Sequence, residues 1–178
     1  MLYLRPYKSC DAEIIVSWCK DEASSRRWTS DRYDKFPITA EDMNEKYIDN
    51  NGDCPDLDNF YPMTAFDENG IVGSIILRYN NAERTIVRLG FIIVDDTKRG
   101  KGYGKKMVQL ATKYAFEFLG AEKVTLGVFD NNPSAYHCYK AAGFRETGEN
   151  FNIPLFGETW TVVELKMYRY EYESLIHR

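Results

Sequence analysis

The chain has 178 residues, 44% of them apolar, which suits one domain burying on the order of two-thirds of its unfolded surface. A formal charge of −4 excludes the basic surface from which general nucleic-acid binders draw their affinity, so no nucleic-acid partner is expected. No apolar run is long enough to cross a bilayer, and the start, with Arg5 and Lys8 among polar residues, lacks the apolar core of a secretory signal; a cytoplasmic chain without membrane contact is expected.

In chain order, a first strand is predicted near Leu2 to Tyr7. A helix follows from about Asp11 to Glu22, with Ile14, Ile15 and Trp18 towards one face. Thr39-Ala40-Glu41-Asp42 reads as a capping box with Asp in place of Glu, ahead of Met43, Tyr47 and Ile48 on a second helix. Strands are then predicted at Phe60 to Phe66, Ile71 to Tyr79 after an Asn69-Gly70 turn, and Thr85 to Val94, forming an antiparallel meander. A long helix carries Met107, Ala111, Tyr114 or Ala115, and Phe118 at helical spacing and stops at Gly120. A strand Lys123 to Phe129, a short helix and two strands near Phe144 to Ile153 and Thr159 to Arg169 complete the order. The expected fold class is α+β, with helices on both faces of the sheet.

The richest segment is Arg99-Gly100-Lys101-Gly102-Tyr103-Gly104, between the apolar run Leu89 to Val94 and the long helix. Its glycines permit a tight turn and close approach of backbone N–H groups, and the helix dipole favours an anion there. It is not a P-loop: only Lys101, Gly102 and Tyr103 separate Gly100 from Gly104-Lys105, and Lys106 stands where Ser or Thr is required. Nor is it the dinucleotide fingerprint, since its glycines alternate strictly.

Further on, Asn131-Asn132-Pro133-Ser134-Ala135-Tyr136-His137-Cys138-Tyr139-Lys140-Ala141-Ala142-Gly143-Phe144 delimits one short helix. Asn132 can cap it, Pro133 suits its first position and Gly143 ends it. Four scattered cysteines without a Cys-x-x-Cys pair give no zinc spacing, and no metal is expected. An acidic stretch from Asp49 to Asp58 fails as a calcium loop because Phe60 occupies the twelfth position. Two histidines, with no Ser-His or Cys-His arrangement nearby, offer poor material for covalent catalysis.

Arg99-x-x-Gly102-x-Gly104 resembles the Arg/Gln-x-x-Gly-x-Gly/Ala pyrophosphate loop of the GNAT family of N-acetyltransferases. Asn132, Ala135, Tyr139 and Gly143-Phe144 match that family's second motif in register, and Leu2-Tyr3-Leu4-Arg5-Pro6 is similar to its first strand. The resemblance implies a single GNAT-like domain over residues 1–178, with a mostly antiparallel sheet, that uses acetyl-CoA as co-substrate. It implies direct transfer to a primary amine in a ternary complex. N–H groups from about Gly100 through Lys101, Gly102, Tyr103 and Gly104 to Lys105, with Arg99 beside them, would hold the pyrophosphate. Backbone groups of Ile92 and Val94 would pair with the pantetheine arm, and Lys98, Lys101 or Lys105 could meet the 3′-phosphate. Tyr139 is the expected acid for the departing thiolate; Asn132 either bonds the pantetheine or caps its helix, and Tyr136 packs.

The chain departs from the family at the base. Several members carry a Glu early on the strand before the loop, and the corresponding residue here is Arg88, which cannot accept a proton at neutral pH. Glu158, Glu83 or a water chain are the substitutes. The acceptor, a small-molecule or peptide amine, is expected against Lys20 to Pro37, with Arg26, Arg27, Trp28, Tyr33 and Phe36, and a late hairpin with Phe156 and Trp160. Arg26 and Arg27 would equally suit an acceptor with a carboxylate. Rival readings are a catalytically idle acyl-CoA sensor and an enzyme acting on protein N-termini; a monomer and a homodimer fit equally.

Overall fold

The computed structural model describes residues 1–177. Strands β1 (Tyr3–Pro6), β2 (Tyr61–Asp67), β3 (Gly70–Tyr79), β4 (Ile86–Val94), β5 (Lys123–Phe129), β6 (Arg145–Leu155) and β7 (Glu158–Tyr168) form one sheet in the order β1-β2-β3-β4-β5-β7-β6. All neighbours are antiparallel except β4 and β5, whose parallel pairing requires the long helix as its crossover. This is the α+β, mostly antiparallel architecture expected from the sequence.

Strand alternation splits the sheet's apolar residues between two cores. Ile75, Leu77, Val87, Leu89, Val124 and Leu126 point to the face covered by α4 (Tyr103–Glu117), α5 (Pro133–Ala141) and α6 (Arg169–Ile176). Ile76, Phe91 and Ile93 point to the other, under α1 (Ala12–Val16), α2 (Glu22–Thr29) and α3 (Ala40–Asn44). Helix α4 lies close on β3 because Gly73 has no side chain: a Cβ there would sit 2.7 Å from Met107 Sδ.

The predicted helix Asp11 to Glu22 is instead two pieces. A 3-10 turn at Ser9–Asp11 leads into α1, which stops at Val16, and Ser17 Oγ donates to Ile14 O (2.6 Å) just beyond. Asp21 then caps α2, accepting from Ser24 N at 2.7 Å, the role short polar side chains prefer to a helix interior. Once the helix is broken its periodicity no longer holds: Ile15 and Trp18 are buried, Ile14 is exposed.

Thr39 does form the capping box with Asp42. After α3 the chain widens into a π turn at Glu45–Asp49, closed by Asn50 N to Glu45 O (2.8 Å), and the phase change buries Tyr47 while exposing Ile48. In α4 the buried stripe is Met107, Ala111 and Ala115 with Val108 and Phe116. Phe118, expected in it, lies past the helix end, exposed and stacked on Tyr114. The last strand ends at Tyr168, and Arg169 opens α6, donating to Phe116 O and Ala121 O (both 2.6 Å). No apolar stripe announces α6; its Tyr172 alone reaches the core, on Phe116.

Candidate active site

Strands β4 and β5 pair only over Ile86–Arg88 and Lys123–Thr125, then separate. The cause lies in β4. Ile76 pairs with Gly90 but Ser74 with Ile93, so Phe91 and Ile92 together oppose Ile75, a bulge that bends the strand. Phe91 has φ 45°, and Trp28 Nε1 donates to its carbonyl at 3.0 Å, so α2 braces the bend. Asp95 N donates to Val72 O (3.0 Å), which turns the polar groups of Ile93 and Asp95 to β3. Those of Val94, and by alternation Ile92, face the gap. Arg99 Nε donates to Val94 O at 3.3 Å, so that carbonyl is already partly engaged.

The chain leaves β4 through a 3-10 turn, Asp96–Lys98, capped by Asp95, and reaches Gly100 (φ 76°) and Gly102 (φ 80°). Both are left-handed positions that L side chains rarely adopt, and a Cβ on either would meet nothing within 4 Å. Lys106 N is the first donor back along α4, to Gly102 O (3.1 Å), so the N–H groups of Gly102, Tyr103, Gly104 and Lys105 have no intrahelical acceptor. The third glycine has a different reason. A Cβ on Gly104 would stand 3.1 Å from Cys138 Sγ, so Gly104 admits α5 against α4. Tyr103 directs its hydroxyl back to Asp67 Oδ2 (2.7 Å) and offers the loop only its backbone. Lys101 Nζ reaches Thr97 O (3.4 Å), Lys98 approaches Asp95 (3.9 Å), and Lys105 is exposed.

On α5, Asn132 Oδ1 accepts from Ala135 N (3.3 Å) and therefore caps the helix, leaving Nδ2 as its remaining donor. Tyr139 is 6% exposed and faces the gap between β4 and β5. Burial pushes its hydroxyl well above the ordinary tyrosine range, so it holds its proton. Tyr136 instead donates to Glu146 on the outside.

The gap opens into a cleft of about 770 Å³ on the α1–α3 face, floored by β3, β4, β5 and β7 and walled by α2 and by β6 from Glu149 to Pro154. Arg88 projects onto this floor and makes a two-pronged ion pair with Glu164 (2.8 and 2.6 Å). The pair crosses β5 over Gly127, where a Cβ would lie 2.8 Å from Arg88 Nη2 and 2.9 Å from Glu164 Oε1. Neither Glu83 nor Glu158 borders the cleft: Glu83 bonds Asn81 in the β3–β4 loop and Glu158 accepts from Trp160 Nε1.

The expected acceptor wall is only partly right. Arg27 and Trp28 line the cleft, while Tyr33 is buried in the core, Arg26 donates to Tyr33 O and lies over Phe156, and Trp160 packs edge-on against Phe129. The aromatic walls are Trp28, Phe60, Phe91, Phe129 and Phe151. Glu164, Gly127 and Arg78 escaped sequence reasoning because strand pairing alone brings them here. The one available signal was a glycine inside an otherwise apolar strand, which marks a close approach.

An open nest of backbone donors, an unpaired stretch of β4 and a gap leading to a buried tyrosine fit the pyrophosphate, amide-bearing arm and thioester of acetyl-CoA. The sequence comparisons agree. The spermidine N(1)-acetyltransferase of Vibrio cholerae is 26% identical over 147 residues, 83% of this chain and 80% of that protein. The spermine/spermidine N(1)-acetyltransferase of Bacillus subtilis is 35% identical over 80 residues, 44% of this chain and about half (50%) of that relative. The fold matches the crystal structure of spermidine N-acetyltransferase from Vibrio cholerae in complex with CoA and spermine. Its TM-score is 0.78 at 22% identity, covering 97% of this chain and 98% of that one. A model of the acetyltransferase (GNAT) family matches residues 18–144. The chain belongs to that family of acetyltransferases.

Proposed function

We propose that the chain transfers the acetyl group of acetyl-CoA to the primary amine of a small molecule bound in the cleft, by direct attack in a ternary complex. The observation that carries this reading is the gap between β4 and β5, which joins the glycine nest on one side of the sheet to the cleft on the other past Tyr139. The N–H groups from Gly102 to Lys105 receive the pyrophosphate, with Gly100, Lys101 and Arg99 shaping the turn before them. Ile92 and Val94 offer backbone groups to the pantetheine amides as a further strand would. Asn132 has one role as helix cap and contributes at most its Nδ2 donor to the cofactor.

Acetyl-CoA supplies an activated acyl group on a fair leaving thiolate. Tyr139, protonated at neutral pH as an ordinary phenol is, gives its proton to the departing sulfur, and its hydroxyl is recharged from solvent through the cleft. No free carboxylate stands where the family's strand Glu would be: Arg88 is cationic and Glu164 is spent on it. The amine therefore loses its proton to water, and rate rises with pH through the amine's own titration. The walls that α2 and β6 raise beside the cleft favour a small acceptor over a protein N-terminus. The relatives' names make spermidine and spermine the first acceptors to assay.

The test pairs two measurements. Acetyl-CoA should raise the melting temperature, adding about 2.7 kcal/mol at a concentration 100 times its dissociation constant, and thiol release should depend on an added amine. A fold that acetyl-CoA leaves unstabilised defeats the reading. Stabilisation without thiol release for any amine leaves an acyl-CoA sensor.

A further inference from the structure

The cleft floor carries an imbalance of charge. Arg78 and Arg88 stand directly opposite each other on β3 and β4, both facing the cleft. Like charges so placed repel, and an anion bound to either one relieves that repulsion. Arg88 has Glu164. Among the described residues Arg78 has no ion pair and no hydrogen bond, though it is half-buried in the floor.

The other lining charges do not supply the missing anion. Asp53 is taken by Lys46 and Asp31 lies beside Arg32 (3.6 Å). Glu149, on the exposed rim strand, has no cationic partner, and Arg27 reaches only the Asn131 amide (3.4 Å). A fully cationic acceptor would therefore meet two uncompensated guanidinium groups and one carboxylate. Gly90, at the gap, pairs with Ile76, two residues from Arg78, or about 7 Å along the strand. A few carbon atoms span that distance.

We propose that Arg78 is an anion seat and that the acceptor is a small primary amine bearing a carboxylate, its amine at the gap and its carboxylate on Arg78. Arg88 remains tied to Glu164 and adds positive potential beside the seat. This rests on the acetyl-transfer reading and narrows its acceptor to a class that excludes polyamines.

The experiment compares 4-aminobutanoate with butylamine and with spermidine, following both thiol release and calorimetric binding to the CoA-loaded protein. The carboxylate should improve kcat/KM over the matched alkylamine by roughly 10- to 100-fold, the size of a hydrogen bond to a charged partner. Arg78→Met should erase that ratio, and Arg78→Lys should restore part of it, with acetyl-CoA binding to each variant reporting an intact fold. Equal or better turnover of butylamine or spermidine, or a ratio that survives Arg78→Met, overturns the anion seat while acetyl transfer stands. Binding of 4-aminobutanoate, lost in Arg78→Met, without thiol release would uphold the seat and defeat transfer instead.

Discussion

The two sides of the gap between β4 and β5 are built on different principles. On the α4–α5 side the site is local backbone: Gly100 and Gly102 at positive φ, a helix start with free N–H groups, an Asn cap and a tyrosine two turns along the same short helix. On the α1–α3 side it is long-range side-chain placement. Arg88 meets Glu164 across a strand, Trp28 braces a bulge from another element, and Arg78 faces Arg88 through sheet register. Chemistry common to a family can be written in short contiguous motifs, whereas the cleft proposed to select the acceptor is distributed over six elements and changes with any of them.

Gly102→Glu should break the first side outright. The residue sits at φ 80° in open space, so the substitution costs about 1–2 kcal/mol of backbone strain without a clash, and it puts a negative charge in the proposed pyrophosphate seat. Thermal stabilisation by acetyl-CoA should vanish while the cooperative melt persists. A retained shift would mean that the nest lies elsewhere.

Tyr139→Phe sits on the boundary between the two sides. It keeps the ring's packing and removes the proposed proton donor, so kcat should fall roughly 10- to 100-fold, at or below the usual range for a lost general acid because thiolate leaves readily. Affinity for acetyl-CoA should stay within a few-fold. Because burial raises the hydroxyl's pKa, wild-type activity should climb with pH without an alkaline fall in the ordinary tyrosine range. A fall there would assign the acid to a more exposed group.

Glu164→Ala tests the second side through stability. It leaves Arg88 without its carboxylate on a half-buried floor and should cost about 1.5–3 kcal/mol, read by denaturant unfolding. Adding Arg88→Met should recover part of that loss, and an additive double mutant would show that the pair contributes no coupling. The smallest effects belong to Glu83→Gln and Glu158→Gln, each expected to change kcat/KM less than about 3-fold since both lie outside the cleft. A loss of roughly 100-fold in either, the size of a missing general base, would place a proton acceptor in the β3–β4 loop or the last hairpin.

Residues 99–104 and 131–144 carried the glycine loop, the capped short helix and Tyr139 in the sequence alone, because positive φ, helix capping and helical spacing are set by residues within one or two turns. Alternation likewise placed β2 to β5 within a residue or so of their observed ends. What only the tertiary structure decided depends on partners distant in the chain. The seating of α6 against Phe116, the close packing that Gly104 allows against Cys138, and the charged floor of the cleft all follow from contacts between segments far apart in the chain. Arg88 read by itself was a missing base; beside Glu164 and opposite Arg78 it is half of an ion pair and the neighbour of an unpaired charge, because register, not sequence proximity, determines what a strand residue faces.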